Sequence, residues 1–195
     1  MSDLYLMQVI ADMVPVGARV LDLGCGDGAL LDHLIQHRQC TGYGVEIDDA
    51  NVLACTQRGV SVIQLNLDEG LAMFADASFD VVLQIDTLQH LHNTEIMLRE
   101  TARVGRLGIV AFPNFGHWSN RLAILRGRMP VNQRLPYEWY NTPNIRVTTA
   151  TDFEVLVKHT GLKLQDQFGI ENNQKLTWFS NLRAGTAVFS FTNQK

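Results

Sequence analysis

Three glycines alternate with other residues where an apolar run meets a helical pattern, at Gly24, Gly26 and Gly28. Glycines at this spacing let the backbone adopt torsions that side chains forbid, and they let a ligand approach bare peptide groups. The helix that follows directs its free N–H groups and the positive end of its dipole toward the turn. The spacing therefore predicts a nucleotide-binding turn, with the carboxylate of Asp22 just before it.

Two kinds of nucleotide site fit this turn. Gly24 and Gly26 followed by Ala29 match the Gly-x-Gly-x-x-Ala form of the dinucleotide fingerprint of Rossmann dehydrogenases. The three alternating glycines preceded by an acid are instead similar to the turn of S-adenosylmethionine methyltransferases. Both need a carboxylate at the end of the second strand to bind ribose hydroxyls, and Glu46 stands there. Asp22 favours the second interpretation, because it would repel a pyrophosphate but tolerates an ammonium and a sulfonium. An NAD-type cofactor remains an alternative.

Candidate catalytic groups are few. Methyl transfer from a sulfonium needs little beyond positioning and sometimes a base. Asp86, His90 and His117 are the candidate bases near the expected mouth of the site. Each also has a structural interpretation: a cap for a helix beginning at the next residue, a helix-surface residue and a loop anchor. His90 and His92 would diverge on a helix, and we predict no metal site.

Length and composition predict one globular domain. The chain has 195 residues, of which 46% are hydrophobic and 18% charged, and this length buries a core without disulfides. The net charge of −4 argues against a nucleic-acid-coating protein. Three cysteines without metal spacing suit a reducing compartment, and no signal peptide or membrane-spanning run is evident. We expect a cytoplasmic protein without nucleic-acid or membrane partners, and the oligomeric state stays open.

Strand and helix patterns alternate over most of the chain, after an amphipathic helix near the N-terminus. Strands are predicted at 19–23, 41–47, 61–65, 79–85 and 108–112, and a long helical pattern covers 87–104. This rhythm is typical of an α/β fold whose parallel sheet is covered on both faces. After a helix that begins near Asp152, the segments 162–170 and 185–191 are predicted to close the sheet as an antiparallel pair.

The segment 113–147 interrupts this rhythm. It holds four of the five prolines and carries a local charge of +4, from five arginines and one glutamate. It could be a substrate lid whose arginines bind a carboxylate or phosphate, a docking surface, or a loop held by its own aromatic residues. The candidate substrate or partner residues are His117, Trp118, Arg121, Arg128, Tyr137, Trp139 and Tyr140.

Residues 21–28, 44–48, 65–67 and 78–82 resemble the first motif, second motif, adenine-binding turn and fourth strand of class I S-adenosylmethionine-dependent methyltransferases. The resemblance implies a Rossmann-like fold with a seven-stranded, mostly parallel sheet, an antiparallel C-terminal strand and helices on both faces. It implies that the glycines line the methionyl part, Glu46 binds the ribose, Ile47 packs on adenine, and Gln84 lies beside the sulfonium. The implied cofactor-binding residues are Asp22, Gly24, Cys25, Gly26, Gly28, Glu46, Ile47, Asn66, Leu67 and Gln84.

Two further segments, Phe-Pro-Asn-Phe-Gly-His-Trp at 112–118 and Trp-Tyr-Asn-Thr-Pro-Asn-Ile at 139–145, resemble the MetW family of methionine-biosynthesis proteins. The resemblance covers nearly the whole chain. It implies one domain, 1–195, with a cofactor-binding half (1–112), an insertion (113–147) and a closing region (148–195).

The MetW resemblance also implies S-adenosylmethionine or S-adenosylhomocysteine as cofactor and a homoserine O-acyltransferase of the MetX type as partner. It therefore favours an accessory role in methionine synthesis. The alternative is an active methyltransferase on an unknown small molecule. The methyl acceptor, the stoichiometry with a partner and the choice between succinyl and acetyl donors stay open.

Overall fold

Eight strands form one sheet in the computed structural model, which describes residues 3–194. The strands are β1 (Arg19–Leu23), β2 (Thr41–Glu46), β3 (Val62–Gln64), β4 (Phe79–Ile85), β5 (Gly105–Pro113), β6 (Leu162–Glu171), β7 (Gln174–Leu176) and β8 (Thr186–Asn193). The helices are α1 (Asp3–Met13), α2 (Ala29–Arg38), α3 (Asp49–Arg58), α4 (Thr94–Val104), α5 (Trp118–Leu125), α6 (Ala150–His159) and α7 (Ser180–Arg183). Within this part of the chain, no helix is long and apolar enough to cross a bilayer.

The strand order is β3-β2-β1-β4-β5-β8-β6-β7. The first five strands pair in parallel, and β8 lies antiparallel between β5 and β6. The order of the strands reverses between β1 and β4, and open α/β sheets bind ligands at the carboxyl ends of the strands beside such a switch point. The glycine turn follows β1 directly, so this topology places it at that point.

The sheet has eight strands, and the prediction of seven is one short. The additional strand, β7, forms an edge hairpin with β6. Its two-residue loop consists of Asn172 and Asn173, both with left-handed backbone torsions (φ 48° and 57°). Asparagine tolerates this conformation better than most residues, and paired left-handed torsions form the tight turns of hairpins.

Side chains of alternating strand residues enter two different cores. On one face, Leu83 and Ile109 pack with residues of α1, α2 and α3, whereas Val110 packs on the other face with α4 and α6. The second core contains Phe112 and Phe153, whose ring centroids are 4.9 Å apart. Apolar side chains on both faces explain why the central strands read as continuous hydrophobic runs.

The helix predicted over 87–104 begins later, at Thr94, and a 3-10 turn (Leu88–His90) precedes it. Asp86 has a left-handed backbone (φ 53°), and the Thr87 hydroxyl donates to the carbonyl oxygen of Leu23 at 2.8 Å. These features hold the chain against β1, so a regular helix cannot start there. The interpretation of Asp86 as the cap of a helix at the next residue was therefore wrong.

Candidate functional site

The glycine turn depends on glycine for two different reasons. Gly24, Gly26 and Gly28 all have positive φ, at 71°, 55° and 78°. A Cβ on Gly24 would lie 2.5 Å from the hydroxyl oxygen of Thr87, whereas a Cβ on Gly26 would meet nothing within 4 Å. Gly24 is thus required by packing, and Gly26 leaves open space above the backbone.

A cleft of ≈ 410 Å³ lies over this turn. Its walls come from β1, from the turn and the start of α2 that follow it, from the end of β4 with the next residue, and from α1. The lining residues are Leu6, Met7, Ile10, Asp22, Gly24, Cys25, Gly26, Asp27, Ala29, Leu30, Ile85 and Asp86. The contribution of α1 was missed: its apolar periodicity predicts a packed helix, but the sequence carries no signal for where that helix lies.

Asp22 supplies a buried carboxyl group to the cleft. Its side chain is 2% exposed, and burial, with the negative charge of Glu46, raises its pKa to about 7. A carboxyl group in this environment is half protonated near neutrality. A cation bound beside it would favour the ionised form and would compensate the cost of burial.

The carboxylate of Glu46 joins the end of β2 to the glycine turn. One oxygen accepts from the backbone N–H of Gly26 at 2.8 Å. The other accepts from Ile47 and Asp48 at 2.8 and 3.0 Å. Glu46 is 8% exposed and is not among the residues that line the cleft, so its carboxylate fixes the shape of the turn.

The predicted adenine-binding residues lie beside Glu46. The N–H of Leu65 donates to the Glu46 carbonyl oxygen, which holds the segments after β2 and β3 together. Ile47 is 60% exposed, Leu67 is buried, and Asn66 accepts from the N–H of Asp68 at 3.0 Å. The arrangement leaves the Ile47 side chain available to a planar group.

Gln84 does not line the cleft. Its side chain is buried, and its amide donates to the hydroxyl of Thr101 on α4. Successive strand residues point to opposite faces, so the approach of Ile85 to the cleft directs Gln84 the other way. Alternation excludes that Gln84 and Ile85 both face the cleft, but the sequence does not say which of them does.

Of the three candidate bases, Asp86 lines the cleft. His90 places its Nδ1 3.1 Å from the carbonyl oxygen of Pro143. His117 begins α5, where its Nδ1 accepts from the N–H of Ser119, and it lines a separate polar pocket. The structure therefore does not bring these three groups together. Within residues 3–194, no cluster of three or more His, Cys, Asp or Glu residues could hold a metal ion.

Cys25 lies under the turn, with its sulfur 3.7 Å from that of Cys55. Burial raises the pKa of both thiols, and nearby carboxylates add to the shift. Neutral buried thiols are poor nucleophiles, which agrees with a packing role for Cys25.

The insertion 113–147 presents an exposed surface of aromatic residues and arginines, termed here the aromatic–arginine surface. Its members are Trp118, Arg121, Arg126, Arg128, Tyr137, Trp139, Tyr140 and Arg146. Trp139 and Tyr140 are 70% and 69% exposed. None of its four arginines forms an ion pair with any residue that the structure describes. Large exposed aromatic side chains beside free cations are typical of protein-binding surfaces.

A network of asparagines, which the sequence analysis missed, anchors the insertion. Asn114 is 1% exposed; its amide donates to the carbonyl oxygens of Asn181 and Ala184 and accepts from the N–H of Ala150. The network continues from Asn114 to Asn120 and then to Asn132. Polar residues in a proline- and glycine-containing segment were the available signal, but their partners are distant in sequence.

Solved methyltransferase structures share this fold. A possible histamine N-methyltransferase from Thermotoga maritima superposes with a TM-score of 0.69 at 19% identity, covering 98% of this chain and 89% of that one. A putative methyltransferase from Haloferax volcanii, solved with the Trm112 methyltransferase activator, gives 0.72 at 16% identity, covering 100% and 92%. The Rossmann-like methyltransferase fold expected from the sequence is therefore confirmed.

A curated relative from Rhodopirellula baltica, the bifunctional methionine biosynthesis protein MetXA/MetW, is 35% identical over 93% of this chain and 32% of its own length. The chain thus spans about a third of that relative. The model of the family described as methionine biosynthesis protein MetW matches residues 5–191. On both grounds, the chain belongs to the MetW family.

Proposed function

We propose that the protein binds S-adenosylmethionine or S-adenosylhomocysteine in the cleft and acts with a homoserine O-acyltransferase in methionine biosynthesis. In this role the cofactor is a signal of the pathway's end product, and the aromatic–arginine surface contacts the acyltransferase. Ligand binding would then change the affinity for the partner by a finite coupling energy.

The buried Asp22 carboxyl in the wall of the cleft is the observation that carries the choice of ligand. A sulfonium and an ammonium both favour an ionised carboxylate, whereas a pyrophosphate would be repelled by it. The residues fit such a cofactor: Gly26 leaves space above its backbone, and Ile47 is exposed beside Glu46. Of the two ligands, S-adenosylmethionine would supply an electrophilic methyl group.

Two observations support the partner. The relative from Rhodopirellula baltica is named as a bifunctional MetXA/MetW protein, which joins the two activities in one name. The insertion also exposes aromatic side chains and arginines that have no ion-pair partner among residues 3–194. A partner with acidic and apolar groups would complement this surface.

Calorimetry and an acyltransferase assay test the proposal together. We expect saturable binding of S-adenosylmethionine or S-adenosylhomocysteine and no binding of NAD. Homoserine O-acyltransferase activity and complex formation should change when this protein is added, and should change again at saturating cofactor. Identical activity and complex formation with and without the protein would refute the accessory role.

A second candidate function is methyl transfer to a small molecule, which the position of Asp86 in the cleft favours. Asp86 could accept a proton from an acceptor hydroxyl or amine if the acceptor enters beside α1. Labelled S-adenosylmethionine incubated with a panel of metabolites tests this function. Robust transfer that disappears in Asp86→Asn would support it and would displace the accessory role.

A further inference from the structure

A second cavity, of ≈ 470 Å³, lies on the α4 side of the sheet. Its walls are the 3-10 turn Leu88–His90, the start of α4, the end of β5, the insertion and α6. Asp86 lines the cleft, whereas Leu88 and Gln89 line this cavity, and the two cavities share no lining residue among those described. The second cavity is therefore lined separately from the cleft, although Gln89 donates to the carbonyl oxygen of Asp86 between them.

The body of the second cavity is apolar. Aromatic rings of Phe112, Phe115 and Phe153 line it, together with aliphatic side chains such as Leu135 and Leu156. Its volume lies in the range of small-molecule sites, about 300–1,000 Å³. An apolar cavity of this size accommodates an aromatic or branched aliphatic group.

Two residues that line this cavity carry a buried side-chain oxygen with no hydrogen-bond partner within residues 3–194: Gln89 Oε1 and Thr94 Oγ1. Gln89 is 9% exposed, and its Nε2 donates to the carbonyl oxygen of Asp86 at 2.9 Å. This bond identifies the other amide atom as the acceptor. A buried acceptor without a donor costs free energy, so turning either oxygen toward a ligand N–H or O–H in the cavity would be stabilising.

The rim of the cavity is cationic. Arg146 lies there, donates to the carbonyl oxygen of His92 at 2.9 Å and forms no ion pair with any described residue. Glu95, also at the rim, is already paired with Arg99 at 2.9 Å. The charge left at the rim is therefore that of Arg146, which favours an anionic group at the outer end of a ligand.

We propose that this cavity is a second ligand site, which binds a small amphipathic anion with an apolar body and an N–H or O–H group. The apolar body packs between the phenylalanine rings. The donor binds Gln89 Oε1, with Thr94 Oγ1 as its neighbour, and the anionic end faces Arg146. This site is independent of the ligand proposed for the glycine-turn cleft.

The fluorescent probe 8-anilinonaphthalene-1-sulfonate has an aromatic body, one N–H and one anionic group, and it tests the site directly in the full-length folded protein. We expect saturable binding at one site. Methyl NMR shifts should occur at Leu88, Leu135 and Leu156 and not at Leu6 or Leu30 of the cleft. Excess S-adenosylmethionine should not displace the probe.

Three variants separate this site from general surface binding. Thr94→Val keeps the shape and removes a hydroxyl that has no protein partner, so the probe's affinity should fall about three- to tenfold. Ile96→Trp, from an exposed rim position, should block the cavity and abolish binding. Trp178→Ala, at an exposed tryptophan that lines neither cavity, should leave binding unchanged. Equal affinity in all three variants, or shifts confined to the surface or the cleft, would mean that water alone fills the cavity and would overturn the proposal.

Discussion

At the residue scale, the electrostatics of the cleft centre on Asp22. Its carboxyl group is 2% exposed, and its pKa is raised from 3.8 to about 7 by burial and by Glu46. In the unfolded chain the group would titrate near its ordinary value. The folded state therefore binds more protons than the unfolded state between these two values, and stability falls as pH rises through this window.

Asp22→Asn should reveal this linkage. Between about pH 4 and 7 the wild-type free energy of unfolding should decline relative to the variant by up to about 1.4 kcal/mol per pH unit, and the difference should level off above pH 7. Chemical denaturation at a series of pH values measures the two curves. Parallel curves across this window would contradict the raised pKa.

The same group predicts how ligand affinity depends on pH. A cationic ligand prefers the ionised carboxylate, so the affinity for S-adenosylmethionine should rise from pH 5.5 to pH 8, and Asp22→Asn should flatten this rise. An anionic dinucleotide would show the opposite slope. Calorimetry at three pH values distinguishes a cationic ligand from an anionic one.

Glu46 offers a third prediction at this scale. Glu46→Gln replaces one acceptor oxygen with an amino group, which would face a backbone N–H of the turn. Loss of one or more of its three backbone bonds should lower the free energy of unfolding by about 1–3 kcal/mol and weaken cofactor binding. Asp48→Asn is a matched control: Asp48 accepts from the N–H of Asn51 to cap α3, and asparagine caps equally well. If both variants behaved alike, Glu46 would have no special role in the turn.

Which residues line the cleft was only partly predictable from type and spacing. Asp22 and the glycines stand at the end of an apolar run, so chain geometry alone places them in one turn. Gln84 was misplaced because its position was taken from a motif, and strand alternation does not say which of two neighbouring residues faces the cleft. The two acceptors of the Asn114 side-chain NH2 group lie 67 and 70 residues away, at Asn181 and Ala184, and no local pattern specifies such pairs.

At the element scale, we expect the stability of the strand–turn–helix unit to fall much less when Gly26 is replaced than when Gly24 is replaced. Gly24→Ala adds a left-handed alanine and a contact of 2.5 Å with Thr87, so the protein should lose several kcal/mol, about 3 or more, or fail to fold. Gly26→Ala adds only the torsional cost, about 1–2 kcal/mol. Its methyl group would nevertheless occupy the open space above the turn, so the folded variant should bind cofactor poorly.

Thermal unfolding and calorimetry on the two alanine variants measure these effects. Thr87→Ala removes the atoms that crowd position 24, so it should recover part of the loss in Gly24→Ala. If Thr87→Ala restored no stability, the loss in Gly24→Ala would come from the backbone torsion alone. Tight cofactor binding by Gly26→Ala would show that the ligand lies elsewhere.

Elements with strong local signals were predicted well, and those set by distant contacts were not. The strands β1, β4 and β5 are mostly apolar runs buried on both faces, which identifies them without tertiary information. The 3-10 turn at Leu88–His90 depends on the bond between the Thr87 hydroxyl and Leu23, 64 residues earlier. The placement of α1 against the cleft likewise depends on packing that its own periodicity cannot specify.

At the scale of the whole molecule, charge is strongly divided. The chain carries −4 in total and the insertion carries +4, so the remainder carries −8. A molecule with one basic, aromatic surface on an acidic body approaches an acidic partner in a preferred orientation. The same insertion supplies Val147 and Asn144 to the second cavity. A partner on this surface would therefore lie close to that cavity as well.

The proposed docking role of this surface predicts unequal effects of two matched tryptophan substitutions. Trp139 and Trp178 are 70% and 73% exposed, but only Trp139 belongs to the insertion. Trp139→Ala should weaken the complex with homoserine O-acyltransferase by about tenfold or more, as expected for a hot-spot aromatic residue, whereas Trp178→Ala should change it little. Arg128→Glu should reduce the association rate at low salt and lose this effect at high salt. Surface plasmon resonance measures all three variants. Equal weakening by the two tryptophan variants, or none by either, would place the partner's contact outside the insertion.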